Sequence, residues 1–237
     1  MSVAQAAELG ERLQRRLVAV GAPDAPAVVE RLLRWLELHA RWSRIGNLTG
    51  TRDTDTLVDL HLTDAAALHG LLPEGVLLDI GSGSGLPGLV LACLDPEREL
   101  ILLDAAQKRT RFLEQAALEL GLDAVRVVTA RCEDHVARLA SDGPRPDAMI
   151  ARAVAPLARL AEWTRPLLDV GVPFLAQKGP AWAEEAEALP AGIEVHSVRT
   201  YGLPDVERDH VLVCMAARTA VAPEEVVPAT DAGEQGE

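Results

Sequence analysis

Four glycines that follow an apolar run form two overlapping patterns, and each pattern is typical of a loop that binds a nucleotide. The stretch Leu77–Gly88 reads LLDIGSGSGLPG. Gly81, Gly83 and Gly85 fit the pattern G-x-G-x-G, whereas Gly83, Gly85 and Gly88 fit the G-x-G-x-x-G of dinucleotide-binding proteins. The two registers predict different cofactors and therefore different chemistry.

The position where the apolar run stops favours the first register. A register that begins at Gly83 would place Gly81 and Ser82, both poor strand formers, inside the strand. With the turn beginning at Gly81, the carboxylate of Asp79 is expected beside the loop, where it disfavours an anionic pyrophosphate and suits a cation. S-adenosylmethionine (SAM) carries a sulfonium and an ammonium group. The loop therefore predicts a SAM site formed by Asp79, Gly81, Gly83 and Gly85.

A second acidic residue has the spacing that a nucleoside site requires. Asp104 ends the next apolar run, nineteen residues after Gly85. In nucleotide-binding folds of this type, an acid about 20 residues past the glycines binds the ribose hydroxyls. Both SAM and a dinucleotide need this acid, so Asp104 predicts nucleoside binding without choosing between the two cofactors.

Short apolar runs alternate with amphipathic segments after Pro73. Strands are predicted over 76–80, 99–105, 124–130, 147–153 and 172–177, with helices over 86–94, 107–120, 133–140, 156–168 and 181–188. Two further strands are joined by the short link Gly202–Asp205, which makes one of them antiparallel. This order predicts an α/β, Rossmann-like fold of the class I SAM-dependent methyltransferases, with a seven-stranded, mostly parallel sheet and helices on both faces.

Three regions differ in their patterning. Residues 1–72 predict a helical extension packed on the catalytic domain, with helices over 3–20, 25–43 and about 55–69. Residues 73–218 predict the methyltransferase domain. Residues 219–237 contain five acids, no basic residue and no periodicity, and they predict a disordered acidic tail.

The distribution of charge leaves a nucleic-acid partner open. The net charge of −13 argues against phosphate contacts, yet binding depends on where the charges lie. The segment Arg31–Arg52 holds five arginines and a single acid, which fits either a solvated helix face or an RNA footprint. Only two of the 23 basic residues are lysines, Lys108 and Lys178.

Composition also bears on the compartment. No apolar run approaches the roughly 18 residues of a membrane span, and the N-terminus lacks the apolar core of a secretory signal. The three cysteines are widely spaced and form no metal-ligand pattern. We expect a cytoplasmic protein without a metal and without a membrane partner.

Six segments resemble the RsmG family, also called GidB, and they keep the family's order over roughly residues 25–215. These segments are NLTGTRD (47–53), HLTDA (61–65), DIGSGSGLPG (79–88), LLDAAQKRTRFL (102–113), IARAVAPL (150–157) and AQKG (176–179). Members are bacterial methyltransferases that use SAM to methylate N7 of one guanine in 16S ribosomal RNA. The resemblance implies the same fold, cofactor and activity for this chain.

The resemblance also implies site residues, to which the fold adds a set of cations. By resemblance, the cofactor contacts are Gly81, Leu86, Asp104, Cys132, Glu133 and Arg152. Because ligands of such folds lie at the carboxyl ends of the strands, basic residues that follow strands are expected to grip RNA phosphates. These are Lys108, Arg109, Arg131, Arg152 and Lys178. Asn47 and His61 are assigned to pocket architecture or substrate positioning.

Methylation at N7 predicts a simple mechanism. Guanine N7 carries an in-plane lone pair and no proton, so no general base is expected, and Arg131, Arg152 and Lys178 serve to position the substrate. The expected partner is 16S rRNA or the small ribosomal subunit, and the expected state is a monomer. Three alternatives remain: a methyltransferase of the same fold that acts on a protein or small molecule, an NAD-dependent oxidoreductase, and a non-catalytic RNA-binding factor with a vestigial SAM pocket.

Overall fold

A seven-stranded sheet forms the centre of the protein. The computed structural model describes residues 3–44, 48, 51 and 53–218, so that Asn47 and the predicted tail 219–237 lie outside the described residues. The strands are β1 (Leu77–Ile80), β2 (Leu100–Asp104), β3 (Val125–Thr129), β4 (Ala148–Arg152), β5 (Phe174–Lys178), β6 (Ile193–Leu203) and β7 (Val206–Ala217). Their order is β3-β2-β1-β4-β5-β7-β6, and only β7 runs antiparallel to its neighbours. The predicted fold class is confirmed.

Helices precede the sheet and connect its strands. Before the sheet come α1 (Val3–Ala19), α2 (Pro26–Ser43), α3 (Thr54–Thr56), a π-helical turn (Leu57–Leu62), α4 (Thr63–Ala66) and a 3₁₀ turn (His69–Leu71). The connecting helices are α5 (Gly88–Leu94), α6 (Gln107–Leu120), α7 (Cys132–Ser141), α8 (Leu157–Leu168) and α9 (Trp182–Ala186). Among the helices within these described ranges, none is long and apolar enough to span a bilayer.

The central strands are buried on both faces, because successive side chains of a strand point to opposite sides. On one face, Leu77 and Leu102 join a hydrophobic cluster with residues of α2, α5 and α6. On the other face, Leu78 and Leu103 join a second cluster with residues of α7 and α8. The sheet therefore separates two cores, and loops from both layers meet at its carboxyl-terminal edge.

The N-terminal helices complete the first of these cores. Leu17, Leu32 and Trp35 are fully buried in the cluster that contains α5 and α6. Trp42, the penultimate residue of α2, meets the ring of Phe112 edge-on with a centroid distance of 5.8 Å. Phe112 lies in the second turn of α6, so the carboxyl end of α2 packs on the helix that follows β2.

The third predicted helix is interrupted by the π-helical turn Leu57–Leu62. The hydroxyl of Thr63 donates a hydrogen bond to the carbonyl of Val58, five residues earlier, at 2.7 Å. This bond satisfies a carbonyl group within the widened turn. Such turns often occur at functional sites, and this one carries His61.

Candidate functional site

The backbone settles the glycine register. Strand β1 ends at Ile80, and Gly81 follows it directly. Gly81, Gly83 and Gly85 have φ angles of 69°, 58° and 82°, in the left-handed region that favours glycine, whereas Gly88 is the first residue of α5. A Cβ atom on Gly81 would also lie 2.7 Å from Cγ2 of Val154. The turn that begins at Gly81 is therefore the one that the chain forms.

Asp104 joins this turn to the end of β2. Its Oδ2 accepts a hydrogen bond from the Gly83 N–H at 3.0 Å, and its Oδ1 accepts one from the Ala106 N–H at 2.8 Å. The guanidinium of Arg109 lies 3.3 Å from Oδ2. The Asp104 side chain is only 4% exposed, so these contacts fix its carboxylate at the cleft described next.

A cleft of about 180 Å³ opens at the carboxyl ends of β1, β2 and β3. Six of the predicted site residues line it: Gly81, Asp104, Arg109, Arg131, Cys132 and Glu133. Val154 and Trp163 line it as well, and sequence reasoning missed both. Trp163 comes from α8, and the one signal in the sequence was that aromatic residues make up only 3% of the chain.

The start of α7 gives the cleft hydrogen-bond donors. Arg131 is the residue before this helix, and its side chain makes no capping bond there. The first N–H groups of a helix have no partner within the helix, so those of Cys132 and Glu133 are suited to acceptors of a ligand. Burial raises the pKa of the Cys132 thiol to about 12, which keeps it neutral at physiological pH. The thiol therefore does not supply a thiolate nucleophile.

Asp79 does not face the cleft, which changes the electrostatic interpretation of the loop. Its side chain is fully buried, and its Oδ2 accepts a hydrogen bond from the Gly88 N–H at 3.1 Å. The pleat of β1 turns Asp79 toward α5, whereas the next residue, Ile80, lines the cleft. Burial raises the pKa of the Asp79 carboxyl to about 7. The expected carboxylate beside the cofactor is thus a buried group that holds the turn against α5.

The buried Asp79 carboxyl makes stability depend on pH. Its pKa is about 7 in the folded protein and 3.8 in the unfolded chain, so the folded state holds an extra proton between these values. Stability therefore falls as pH rises through this window, and the full cost is present above pH 7. We compare the unfolding free energy of Asp79→Asn with that of the wild type by urea unfolding at pH 5 and at pH 8. From pH 5 to pH 8, we expect the difference to change by about 2–3 kcal/mol in favour of the variant. An equal difference at both pH values would contradict this assignment.

A second polar cluster lies at the carboxyl end of β4. Nη1 of Arg152 is 3.3 Å from Oδ2 of Asp64 and 3.4 Å from Nδ1 of His61. Oδ1 of Asp64 accepts hydrogen bonds from Gln177 Nε2 at 2.7 Å and Tyr201 OH at 2.9 Å. A buried carboxylate thus connects the N-terminal segment to β4, β5 and β6 and, through His210, to β7.

Three members of this cluster, Gln177, Tyr201 and His210, were not found from the sequence. Nδ1 of His210 lies 3.1 Å from Oδ1 of Asp64. Burial, together with the nearby Asp64, raises the pKa of the Tyr201 phenol, which therefore stays protonated and donates its hydrogen bond. Their partner is more than a hundred residues away in sequence, so no local pattern could have indicated them.

Lys178 is held within the protein. Its Nζ donates to the carbonyl of Ala155 at 2.8 Å and to Oε2 of Glu185 at 2.6 Å. The same Glu185 oxygen accepts a hydrogen bond from the Leu157 N–H at 2.8 Å. The ammonium group thus braces the segment between β4 and α8, which carries Val154 into the cleft. The predicted phosphate contact by Lys178 would require breaking this pair.

The predicted site residues accordingly separate into groups. Gly83, Gly85 and Leu86 shape the turn behind the cleft, and they do not line it. His61 and Arg152 belong to the cluster around Asp64. Lys108 is exposed near the start of α6. Over the described ranges, no group of three or more His, Cys, Asp or Glu side chains is placed to hold a metal ion.

The residues that form the turn, the carboxylate and the cleft lie within the match to a known family. The family model described as rRNA small subunit methyltransferase G, GidB, matches residues 28–213. This chain belongs to the GidB family. The resemblance expected from the sequence is confirmed.

Curated members of the GidB family cover most of the chain. The ribosomal RNA small subunit methyltransferase G of Halorhodospira halophila is 44% identical over 84% of this chain and 91% of its own length. The protein of the same name from Chromohalobacter salexigens is 41% identical over 85% and 94%. Among solved structures, TrmN from Thermus thermophilus aligns over 66% of this chain and 52% of its own, with 22% identity and a TM-score of 0.45.

Proposed function

We propose that this GidB-family chain transfers the methyl group of SAM to N7 of one guanine in 16S ribosomal RNA. The observation that carries the proposal is the family match over residues 28–213, which includes every residue that lines the cleft. The relatives are named as ribosomal RNA small subunit methyltransferases. The choice of N7 comes from the resemblance of the motifs.

The residues of the cleft fit SAM. The carboxylate of Asp104 is suited to the ribose hydroxyls, and the N–H groups of Cys132 and Glu133 are suited to the acceptors of the adenine. Val154 and Trp163 offer apolar surface to the base. Arg152 is the last residue of β4, the neighbour of β1 in the sheet, and its guanidinium suits the carboxylate of the methionine part.

The protein's task in this reaction is to align the two reactants and to exclude water from them. Bound SAM supplies an electrophilic methyl group on a sulfonium sulfur. Because guanine N7 has a free lone pair and no proton, the chain does not need to remove a proton before the attack. Arg131 at the cleft and Arg152 beside His61 and Asp64 would orient the two reactants, which is where most of the rate enhancement would come from.

Exposed cations around the cleft are proposed to contact the RNA backbone. Arg109 and Arg131 line the cleft, and Lys108 is exposed beside it. His61 and Lys178 serve as positioning residues, the first through Arg152 and the second through the segment after β4. Asn47 keeps its role in substrate positioning as a prediction from the sequence alone.

The organisation of the chain follows from the same proposal. Residues 1–72 form an extension on the methyltransferase domain 73–218, and 219–237 form an acidic tail. Support for the first division comes from helices α1 and α2, which share one core with α5 and α6.

Within the described residues, the large exposed apolar side chains Val18, Leu118, Val170 and Val198 are scattered, which favours a monomer. A ribosomal RNA substrate supports the proposal that the enzyme acts in the cytoplasm.

Methyl transfer to isolated subunits tests the function. Small ribosomal subunits from a strain that lacks the gene are incubated with the protein and labelled SAM, and 7-methylguanosine is mapped in 16S rRNA by mass spectrometry. We expect one new methylated guanine. Binding of SAM without transfer would favour the non-catalytic factor, and transfer to a protein or small molecule instead would favour the other methyltransferase class.

Trp163 is expected to stack on the adenine. Removing its ring in Trp163→Ala should weaken SAM binding about tenfold or more, since stacking of an aromatic side chain on a base contributes about 1–3 kcal/mol. Trp163→Phe, which keeps a ring, should retain most of the affinity. Isothermal titration with SAM measures both variants. If Trp163→Ala binds SAM as tightly as the wild type, the ring does not stack on the cofactor.

A further inference from the structure

A large groove between α1 and α2 lies outside the SAM cleft. It has a volume of about 810 Å³, and none of its lining residues lines the cleft. Five arginines face it: Arg12, Arg15, Arg34, Arg41 and Arg44. Three carboxylates face it: Glu8, Glu37 and Asp55. The chain as a whole has 36 acidic and 23 basic residues, so this groove, here called the arginine groove, is basic on an acidic protein.

The arginines form two rows on facing helices. On α2, Arg34, Arg41 and Arg44 follow each other at spacings of seven and three residues, which places them on one side of the helix. With a rise of about 1.5 Å per residue, this row extends about 15 Å along α2. On α1, Arg12 and Arg15 lie three residues apart on the opposite wall. The groove thus presents a line of guanidinium groups rather than a single point of charge.

The arginines differ in how strongly they are engaged. Arg12 pairs with Asp55 at 2.5 Å and with Asp59, and Arg34 pairs with Glu37 and Glu119. Arg41 lies 3.5 Å from the same Glu119, and the side chain of Arg41 is 54% exposed.

The two remaining arginines are more open. Arg15 lies 3.9 Å from Glu11 and is 71% exposed, and Arg44 is exposed at the end of α2. Exposed pairs of this kind contribute little to stability, so a phosphate can compete for Arg15, Arg41 and Arg44.

The position of the groove relates it to the cleft. Trp42, between Arg41 and Arg44 on α2, contacts Phe112 near the start of α6, and α6 begins three residues after Asp104. Arg12 and Arg16 also pair with Asp59 on the turn that carries His61. Through Asp59 the groove therefore borders the turn that carries His61, whose neighbour Arg152 ends β4.

We propose that the arginine groove binds the phosphate backbone of the RNA substrate at a distance from the target guanine. The inference rests on the proposed function, because it assumes that RNA reaches the cleft. Guanidinium groups bind phosphate oxygens in a bidentate manner, and contacts of this type position a nucleic acid without reading its sequence. The groove gives an acidic chain a local surface that an RNA can approach.

The test compares two triple variants of equal charge. The groove variant carries Arg15→Gln, Arg41→Gln and Arg44→Gln, and the control carries Arg126→Gln, Arg145→Gln and Arg218→Gln at exposed positions elsewhere. Binding to unmethylated small subunits is measured between 50 and 200 mM KCl. Each lost phosphate contact lowers the slope of log affinity against log salt by about 0.7–0.9. For the groove variant, we expect this slope to fall by about 2 and the affinity for the small subunit to fall roughly tenfold. Its affinity for SAM should not change. The control should bind the small subunit nearly as the wild type does.

The outcomes separate this proposal from the proposed function. Equal salt slopes and affinities for the groove variant and the control would contradict the proposal that the arginine groove binds RNA. If the wild type transfers no methyl group to the RNA, the proposed function is wrong. If its binding to the small subunit still depends on the groove arginines in that case, the proposal that the groove binds RNA is nevertheless supported. The single variant Arg44→Gln tests RNA binding by the groove with a smaller perturbation. We expect it to lower the slope of log affinity against log salt by less than 1.

Discussion

Replacing Asp104 by alanine is expected to abolish measurable SAM binding, with an affinity loss of at least 100-fold. The carboxylate lies at the cleft and holds the Gly83 N–H at 3.0 Å, so the variant loses both the ribose acceptor and the restraint on the glycine turn. Hydrogen bonds to charged groups contribute about 1.5–3 kcal/mol each, and two ribose hydroxyls are at stake. Isothermal titration with SAM measures the loss, and thermal unfolding shows whether the variant still folds.

The variants Asp104→Asn and Arg109→Ala separate the two roles of this carboxylate. Asparagine keeps one acceptor oxygen, which can hold the Gly83 N–H or the Ala106 N–H but not both, so SAM affinity should fall less than in Asp104→Ala. Arg109→Ala removes the ion pair at 3.3 Å and leaves the carboxylate free for the ribose, so its SAM affinity should stay within a few-fold of wild type. Normal SAM binding by Asp104→Ala would exclude Asp104 as the ribose ligand.

Asp64→Ala is expected to cost about 3–5 kcal/mol of unfolding free energy, the largest stability loss that we predict. The substitution removes the shared partner of Arg152, Gln177, Tyr201 and His210, all of them at least partly buried. Removing one member of a buried charge pair leaves the other charge uncompensated in the interior, and this strongly lowers the stability of the fold. Chemical unfolding measures the loss. SAM affinity should also fall, because Arg152 loses the group that holds it.

Asp59→Ala is a matched control for this substitution. Asp59 is on the same helical segment and pairs with Arg12 and Arg16, yet its side chain is 27% exposed. A partly exposed pair of this kind contributes about 1 kcal/mol or less, and SAM affinity should not change. A similar stability loss for Asp59→Ala and Asp64→Ala would show that the buried network has no special weight.

The pattern of local elements could be predicted from the sequence because it depends on near neighbours. Helix α6 was predicted over 107–120 and is observed as Gln107–Leu120. The mostly parallel pairing of the strands also followed, since alternating strands and helices are connected by crossovers that give parallel neighbours. The turn at Gly81 and the acid at Asp104 were found for the same reason: their spacing along the chain is itself the signal.

The sequence by itself therefore determined the fold class, the family and the position of the cofactor turn. Only the tertiary structure decided where individual charges point. Asp79 turns toward α5 because of the pleat of β1, and Lys178 faces Glu185 because α9 packs back toward β5. The partners of Asp64 come from β4 to β7, up to 146 residues away at His210. Such contacts form between elements that only folding brings together, so neither composition nor periodicity contains them.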